Sequence, residues 1–161
     1  MKKFLVYALM AMLVPLSASA SEKENSLSLK ITSITQERSK DNHARKEEFL
    51  LAGTTLKYKE TVSGYLRIIG VQDQEKEVTV SEESINKINK LALKLKEYHK
   101  EDVAYATDEI GVFYIISIEI AQNEKTETIK ISGMSKYLND NPLYKQYQGF
   151  ISNIKHLVLN N

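Results

Sequence analysis

A chain of 161 residues with no cysteine has no thiol nucleophile, thiolate metal site or disulfide, so burial and hydrogen bonding alone must hold its fold. The charge is nearly balanced. Of 22 Lys and Arg, Lys2 and Lys3 fall in an amino-terminal leader, which leaves 20 against 21 Asp and Glu, about −1 in all, with no long-range pull toward nucleic acid or anionic lipid.

The leader comes first. Met1-Lys2-Lys3 is followed by an apolar run from Phe4 to Leu16, broken by Pro15, and then by Ser17-Ala18-Ser19-Ala20. A positive start, a short apolar core and an A-x-A ending are the marks of a cleavable secretory signal peptide. The run is too short for a membrane span, which needs roughly 20 residues. Residues 1–20 are therefore expected to be removed, and residues 21–161 to form a single exported domain, periplasmic first and secreted second. No cysteine follows Ala20, so a lipid anchor on a mature amino-terminal cysteine is excluded. No later stretch approaches the length of a span, so no integral membrane segment is expected after cleavage.

Beyond a polar tail at Ser21–Asn25, Leu27, Leu29 and Ile31 alternate with polar residues, the period of a half-buried strand. Gln36 to Glu48 has only Ala44 as an apolar residue and reads as a long exposed loop, too poor in burial to offset ordering entropy. Phe49 to Val62 resumes an extended pattern. Ser63-Gly64 is a turn signal, Tyr65 to Val71 a third strand, and Val78 and Val80 a short fourth. Ile85, Ile88, Leu91, Ala92, Leu95 and Tyr98 then recur at helical spacing behind Ser81, a good N-cap. Lys87, Lys90 and Lys94 fall on the opposite, solvated face.

After an extended piece at Val103–Ala106 comes the strongest strand, Val112 to Ile120. Its residues Val112, Tyr114, Ile116, Ile118 and Ile120 face one way, and Phe113 and Ile115 the other. A turn at Gln122–Lys125 makes a hairpin with Thr126–Ser132. Gly133 to Asn141 reads as an irregular loop. Asn141-Pro142 opens a second helix, with Leu143, Tyr147, Phe150, Ile151, Ile154, Leu157 and Val158 as its apolar face. Gly149 inside it is expected to permit a close approach to the sheet. The sum is an α+β domain: an antiparallel sheet of about five to six strands with two amphipathic helices packed on one face, and no internal repeat.

The search for chemistry yields little. Ser84-Ile85-Asn86-Lys87 matches S-x-x-K, but its companion elements are absent and Ser152 to Lys155 matches equally. His43, His99 and His156 show no helical metal spacing. His99 is near acids but reads as a helix carboxyl terminus. Asp108-Glu109 and Asn139-Asp140-Asn141 read as turn and cap residues. No catalytic residue, metal site or cofactor is assigned.

One segment is better suited to recognition: Met134, Lys136, Tyr137 and Leu138, with Tyr144 following on the helix. Tyrosine and methionine are enriched at interface cores, and binding residues often sit on loops carried by a scaffold. The alternative for Met134, Tyr137 and Leu138 is a small satellite core against the second helix. In general shape the chain resembles many bacterial periplasmic inhibitors and immunity proteins, although fold alone does not give function.

The leading expectation is thus a non-catalytic exported protein that contacts another protein, as an inhibitor or immunity-type factor. The alternatives are a small envelope hydrolase using Asp108, Glu109, Asp140 or Ser84, and a carrier of a small apolar ligand between sheet and helices. Amino-terminal sequencing of the exported protein is expected to begin at Ser21; an intact Met1 on that material would overturn the leader.

Overall fold

The computed structural model describes residues 27–39, 42–105, 109–122 and 125–160. The leader and the tail at Ser21–Asn25 lie outside the described residues. The elements run β1 (Ser28–Arg38), β2 (His43–Ala52), β3 (Thr55–Gly64), α1 (Tyr65–Ile68), β4 (Gln74–Thr79), α2 (Glu82–Tyr98), β5 (Val103–Ala104), β6 (Gly111–Gln122), β7 (Lys125–Met134), α3 (Ser135–Leu138) and α4 (Pro142–Leu159).

The fold is α+β, built on one seven-stranded sheet in the order β4-β3-β2-β1-β6-β7-β5. Every pairing is antiparallel except that of the two-residue β5 with β7. The sheet is thus larger than the five to six strands expected. Two misread stretches account for much of the difference.

The first is Gln36–Glu48, expected as a loop. Its residues Gln36–Arg38 and His43–Glu48 form the far ends of β1 and β2, where Gln36 faces Ala44 and Glu37 faces His43. β1 is central, flanked by β2 on one side and β6 on the other. Its backbone is paired on both sides as far as Glu37, and on the β6 side to Arg38. Ladder hydrogen bonds need no apolar side chains, so a polar strand held between two neighbours stays extended. The second is Phe49–Val62, which is two strands joined by a turn at Gly53-Thr54.

The expected strand at Tyr65–Val71 is instead a single helical turn, α1. Gly64 takes φ 66° and ψ −138°, a backbone state open essentially to glycine, and this ends β3. Ile69 N–H then donates to Tyr65 O at 3.1 Å, and Val71 N–H to Leu66 O at 3.0 Å. Asp73 closes the turn, accepting from Val62 N–H at 3.0 Å and from Arg67 Nη2 at 2.7 Å. Gly133–Asn141 is not irregular either: Gly133 and Met134 finish β7, and α3 follows. A structural recurrence emerges that the sequence reading missed. β3 and β7 both carry a Ser-Gly pair at their ends, and each leads into a four-residue helix.

The long helices start as expected. Ser81 accepts from Ser84 N–H at 3.3 Å, and Asn141 accepts from Tyr144 N–H at 3.2 Å, with Pro142 in the first turn. Ile88, Ala92 and Leu95 of α2 and Leu143, Tyr144, Tyr147, Phe150, Ile154 and Val158 of α4 are buried. They form one core with Leu29 and Ile31 of β1, Phe49 and Leu51 of β2, Leu56 and Tyr58 of β3, Ile116, Ile118 and Ile120 of β6, and Ile129 and Ile131 of β7. Alternate residues of these strands, such as Lys30, Leu50 and Lys57, are exposed. Among the described residues, no helix is long and apolar enough to cross a membrane.

Gly149 does not serve a close approach, since a Cβ there would meet nothing within 4 Å. At Gly64 a Cβ would collide with the backbone carbonyl of Asn42. Gly64→Ala is therefore expected to lower stability by about 1–3 kcal/mol in urea unfolding. Gly149→Ala, on an open helical face, is expected to raise it by up to about 1 kcal/mol.

Candidate functional site

The core face of the sheet changes character partway along the strands. Reading along β1, the inward positions are Leu29 and Ile31, then Ser33, Thr35 and Glu37; along β2 they are Leu51 and Phe49, then Glu47, Arg45 and His43. The 11 residues of β1 reach about 36 Å, whereas the 18 residues of α4 reach about 27 Å. Even laid along the strands, the helix leaves part of this face open. The open part is a cleft of about 400 Å³ lined by Ser33, Arg45 and Glu47 of the sheet, Tyr114 of β6, and Tyr147 and Lys155 of α4, among others.

Its floor is a chain of five groups. Glu47 and Glu60 sit directly opposite each other on β2 and β3, and both are buried. Like charges in that position repel, and burial raises the cost. Three donors offset it. The Tyr58 hydroxyl lies 2.8 Å from Glu60 Oε2 and 3.3 Å from Glu47 Oε1. Arg45 Nε reaches Glu60 Oε1 at 3.0 Å. Lys155 Nζ, brought across by α4, lies 2.7 Å from each oxygen of Glu47. The carboxylates lie beneath and the two cations, both partly exposed, stand in the cleft above them. Nearer its mouth, His43 Nε2 lies 3.1 Å from Glu37 Oε2.

The wall on the α4 side is aromatic. The Tyr144 ring lies 5.8 Å from that of Tyr114 and 6.2 Å from that of Tyr147. Burial pushes the Tyr144 hydroxyl up to about 12, with Tyr114 adding to it. Burial raises Tyr147 further, against an opposing hydrogen bond with Ser33. Tyr58 is raised too, by burial first and then by its bond to Glu60 and the charge of Glu47.

At the end of the sheet the cleft meets a wider hollow of about 730 Å³, sharing Glu37 and His43 with it and extending to Glu109 and Ile110. Two of the five residues proposed from sequence bond to Glu109 at its edge. Lys136 is exposed and hydrogen-bonded to Glu109. Tyr137 is also exposed and donates to Glu109 Oε1 at 2.8 Å, with its ring 6.1 Å from that of Tyr105. The bond from Lys136, then that from Tyr137, holds the Glu109 carboxyl below its ordinary range. Met134, Leu138 and Tyr144 are buried. Met134 pairs opposite Phe113, Leu138 and Tyr144 belong to the main core, and Tyr144 also lines the cleft.

The other candidates are dispersed. Ser84 lies at the start of α2, its Oγ 3.0 Å from Ser81 Oγ. Asp140 is exposed, with Lys145 at 3.7 Å, and Asp108 is outside the described residues. His99 caps α2, Nε2 lying 3.1 Å from Asp102 Oδ1 and Nδ1 3.5 Å from Glu127 Oε1. The sequence reading missed Arg45, Glu47, Tyr58, Glu60 and Lys155. The available signal was the inward register: extending the alternation of Leu51 and Phe49 backward reaches Glu47, Arg45 and His43.

The chain matches no protein-family model, and no curated protein shows significant similarity to it.

The raised tyrosines give a pH dependence of defined sign. A hydroxyl whose folded value exceeds the unfolded value of about 10 contributes stability that is complete below pH 10. That contribution is lost as the pH climbs toward the folded values. Phenolate absorbance is expected to show Tyr58, Tyr144 and Tyr147 ionising after the exposed tyrosines, together with loss of the folded circular dichroism signal. Ionisation of every tyrosine in one step near pH 10 would contradict the burial described.

Proposed function

We propose that the chain is an exported, non-catalytic binding protein, periplasmic in the first instance, that holds another protein by the end of its sheet carrying α1 and α3. The observation that carries this reading is the distribution of exposed apolar surface. Tyr65, Ile68, Ile69, Tyr105, Ile110 and Tyr137 are six of the eleven large hydrophobic side chains exposed among the described residues. All six follow or precede strand ends on that one side: β3 ends at Gly64, β5 at Ala104 and β7 at Met134, while β6 begins at Gly111. Scattered exposed apolar residues need no explanation, but their concentration at one end supports reading it as an interaction surface.

The state of the carboxylates supports binding over catalysis. Glu47, Glu60 and Glu109 each already receive hydrogen bonds from the chain's own donors. A general acid or base must instead present its proton or lone pair to a substrate. The inward polar lining of the cleft also suits a polar partner better than an apolar cargo.

The test uses the exported protein as bait in envelope extract, followed by a binding isotherm with the purified captured partner. Tyr137→Ala and Lys136→Glu are expected to raise Kd at least about tenfold, or about 1.4 kcal/mol, without changing the unfolding midpoint by more than a small amount. Wild-type affinity in both variants would remove this end of the sheet from the contact.

A further inference from the structure

We propose that the cleft between β1, β2, β6 and α4 binds a neutral saccharide of one or two rings. The cleft borders the proposed protein contact, since Leu66 of α1 lines it, but it draws on other side chains, and the inference stands whether or not that contact exists. The cleft and its floor hold Glu37, Glu47 and Glu60, set against Arg45, Lys155 and His43, and each carboxylate is within 3.1 Å of one of these basic groups. An ionic ligand of either sign would have to compete with an internal pair for its partner. An apolar ligand would strip water from both charges of each pair and return nothing.

A hydroxyl group avoids both costs, because it donates and accepts at once. It can donate to a spare lone pair of a carboxylate that already holds a cation, and accept a remaining N–H of that cation, leaving the internal pair intact. Capacity for this is present. Arg45 meets Glu60 through Nε and carries four further N–H groups on its fork, since a guanidinium has about five in all. Lys155 stands partly exposed beside Glu47. Thr35 and Gln148 line the same space and add neutral groups that both donate and accept. A ligand bearing several hydroxyls in a rigid ring matches this alternation of donors and acceptors at fixed spacing.

The remaining requirements are shape and rigidity. Tyr114 of β6, partly exposed, is in ring contact with buried Tyr144, which is stacked on buried Tyr147, so its ring is firmly backed where the C–H face of a sugar can lie against it. The volume of about 400 Å³ lies in the range of small-ligand sites. The polar groups are held from below by buried Glu47, Glu60 and Tyr58, so little side-chain freedom remains to be lost on binding.

The test is a backbone-amide NMR titration of the purified protein with glucose, N-acetylglucosamine, maltose and chitobiose, each to about 50 mM, well beyond a millimolar Kd. At least one is expected to give saturable shifts centred on Thr35, Arg45, Tyr114, Tyr147 and Gln148. Arg45→Met should weaken that binding at least about tenfold. Gln148→Ala, a change on the exposed side of α4 that removes a bond to the Tyr144 hydroxyl but touches neither Glu47 nor Glu60, should weaken it about threefold or more, while Lys87→Ala on α2 should leave it unchanged. No saturable shift with any of the four sugars would overturn the proposal. So would binding indifferent to Gln148→Ala in a folded variant, or tighter binding of acetate or phosphate at the same residues.

Discussion

Two glutamates set opposite each other across adjacent strands, both largely buried, would by themselves push β2 and β3 apart. Glu47 and Glu60 are in that position, and the arrangement holds because three donors converge on them. Tyr58 and Arg45 come from the same two strands, but Lys155 comes from α4, 108 positions later in the chain. The ion pair between Lys155 and Glu47 therefore fixes where α4 sits over the sheet. Without it a buried carboxylate would lack its counter-charge, the costly half of any buried pair. A pair of this kind adds little net stability compared with apolar packing. Its contribution is to choose one placement of the helix among several that the apolar face of α4 would tolerate.

That placement also decides where the core ends. On the sheet, the rows through Ile31, Phe49 and Ile118 are apolar, and the row through Glu60, Glu47 and Ser33 begins the polar zone. On α4 the division runs lengthwise: Phe150, Ile154 and Val158 lie in the core, Gln148 and Lys155 line the cleft, and Tyr144 and Tyr147 belong to both. The result is a closed interior at one end of the molecule and an open, hydrogen-bonded recess at the other.

How much of this could be read in the chain follows from where the signals are local. The caps at Ser81 and Asn141, the periodicity of α2 and α4, and the two-faced strand around Ile116 are written in a few consecutive residues, and each lies where it was placed. The polar ends of β1 and β2 are not local features. Gln36–Arg38 and His43–Glu48 are extended because they pair with each other and with β6 and β3, so a rule that asks each segment to bury its own apolar groups reads them as a loop. The same error concealed the site, because His43, Arg45 and Glu47 all lie in that stretch. The turn at Gly64 misled in another way. Tyr65, Leu66, Ile68 and Ile69 have the composition of a strand, but the left-handed backbone at Gly64 ends the ladder, and α1 forms with Ile68 and Ile69 in solvent. The carboxylate network was invisible for a simpler reason: Lys155 and Glu47 have no sequence relation at all.

A domain without disulfides has to reconcile a stable core with a recess that water can enter. Here the two are separated along the strands instead of being layered through the thickness of the fold. Leu29, Ile31, Phe49, Leu51, Leu56, Ile116, Ile118, Ile120, Ile129 and Phe150 are essentially inaccessible, and at roughly 1.5–3 kcal/mol for each fully buried large side chain they supply the driving force for folding. The polar half of the sheet draws its order from the central position of β1, whose neighbours satisfy its backbone on both sides. Side chains such as Thr35 and Glu37 are thereby released from any duty to the core. They can vary in identity while the strands that carry them stay in place, which is the property a scaffold needs if its recess is to be matched to a ligand.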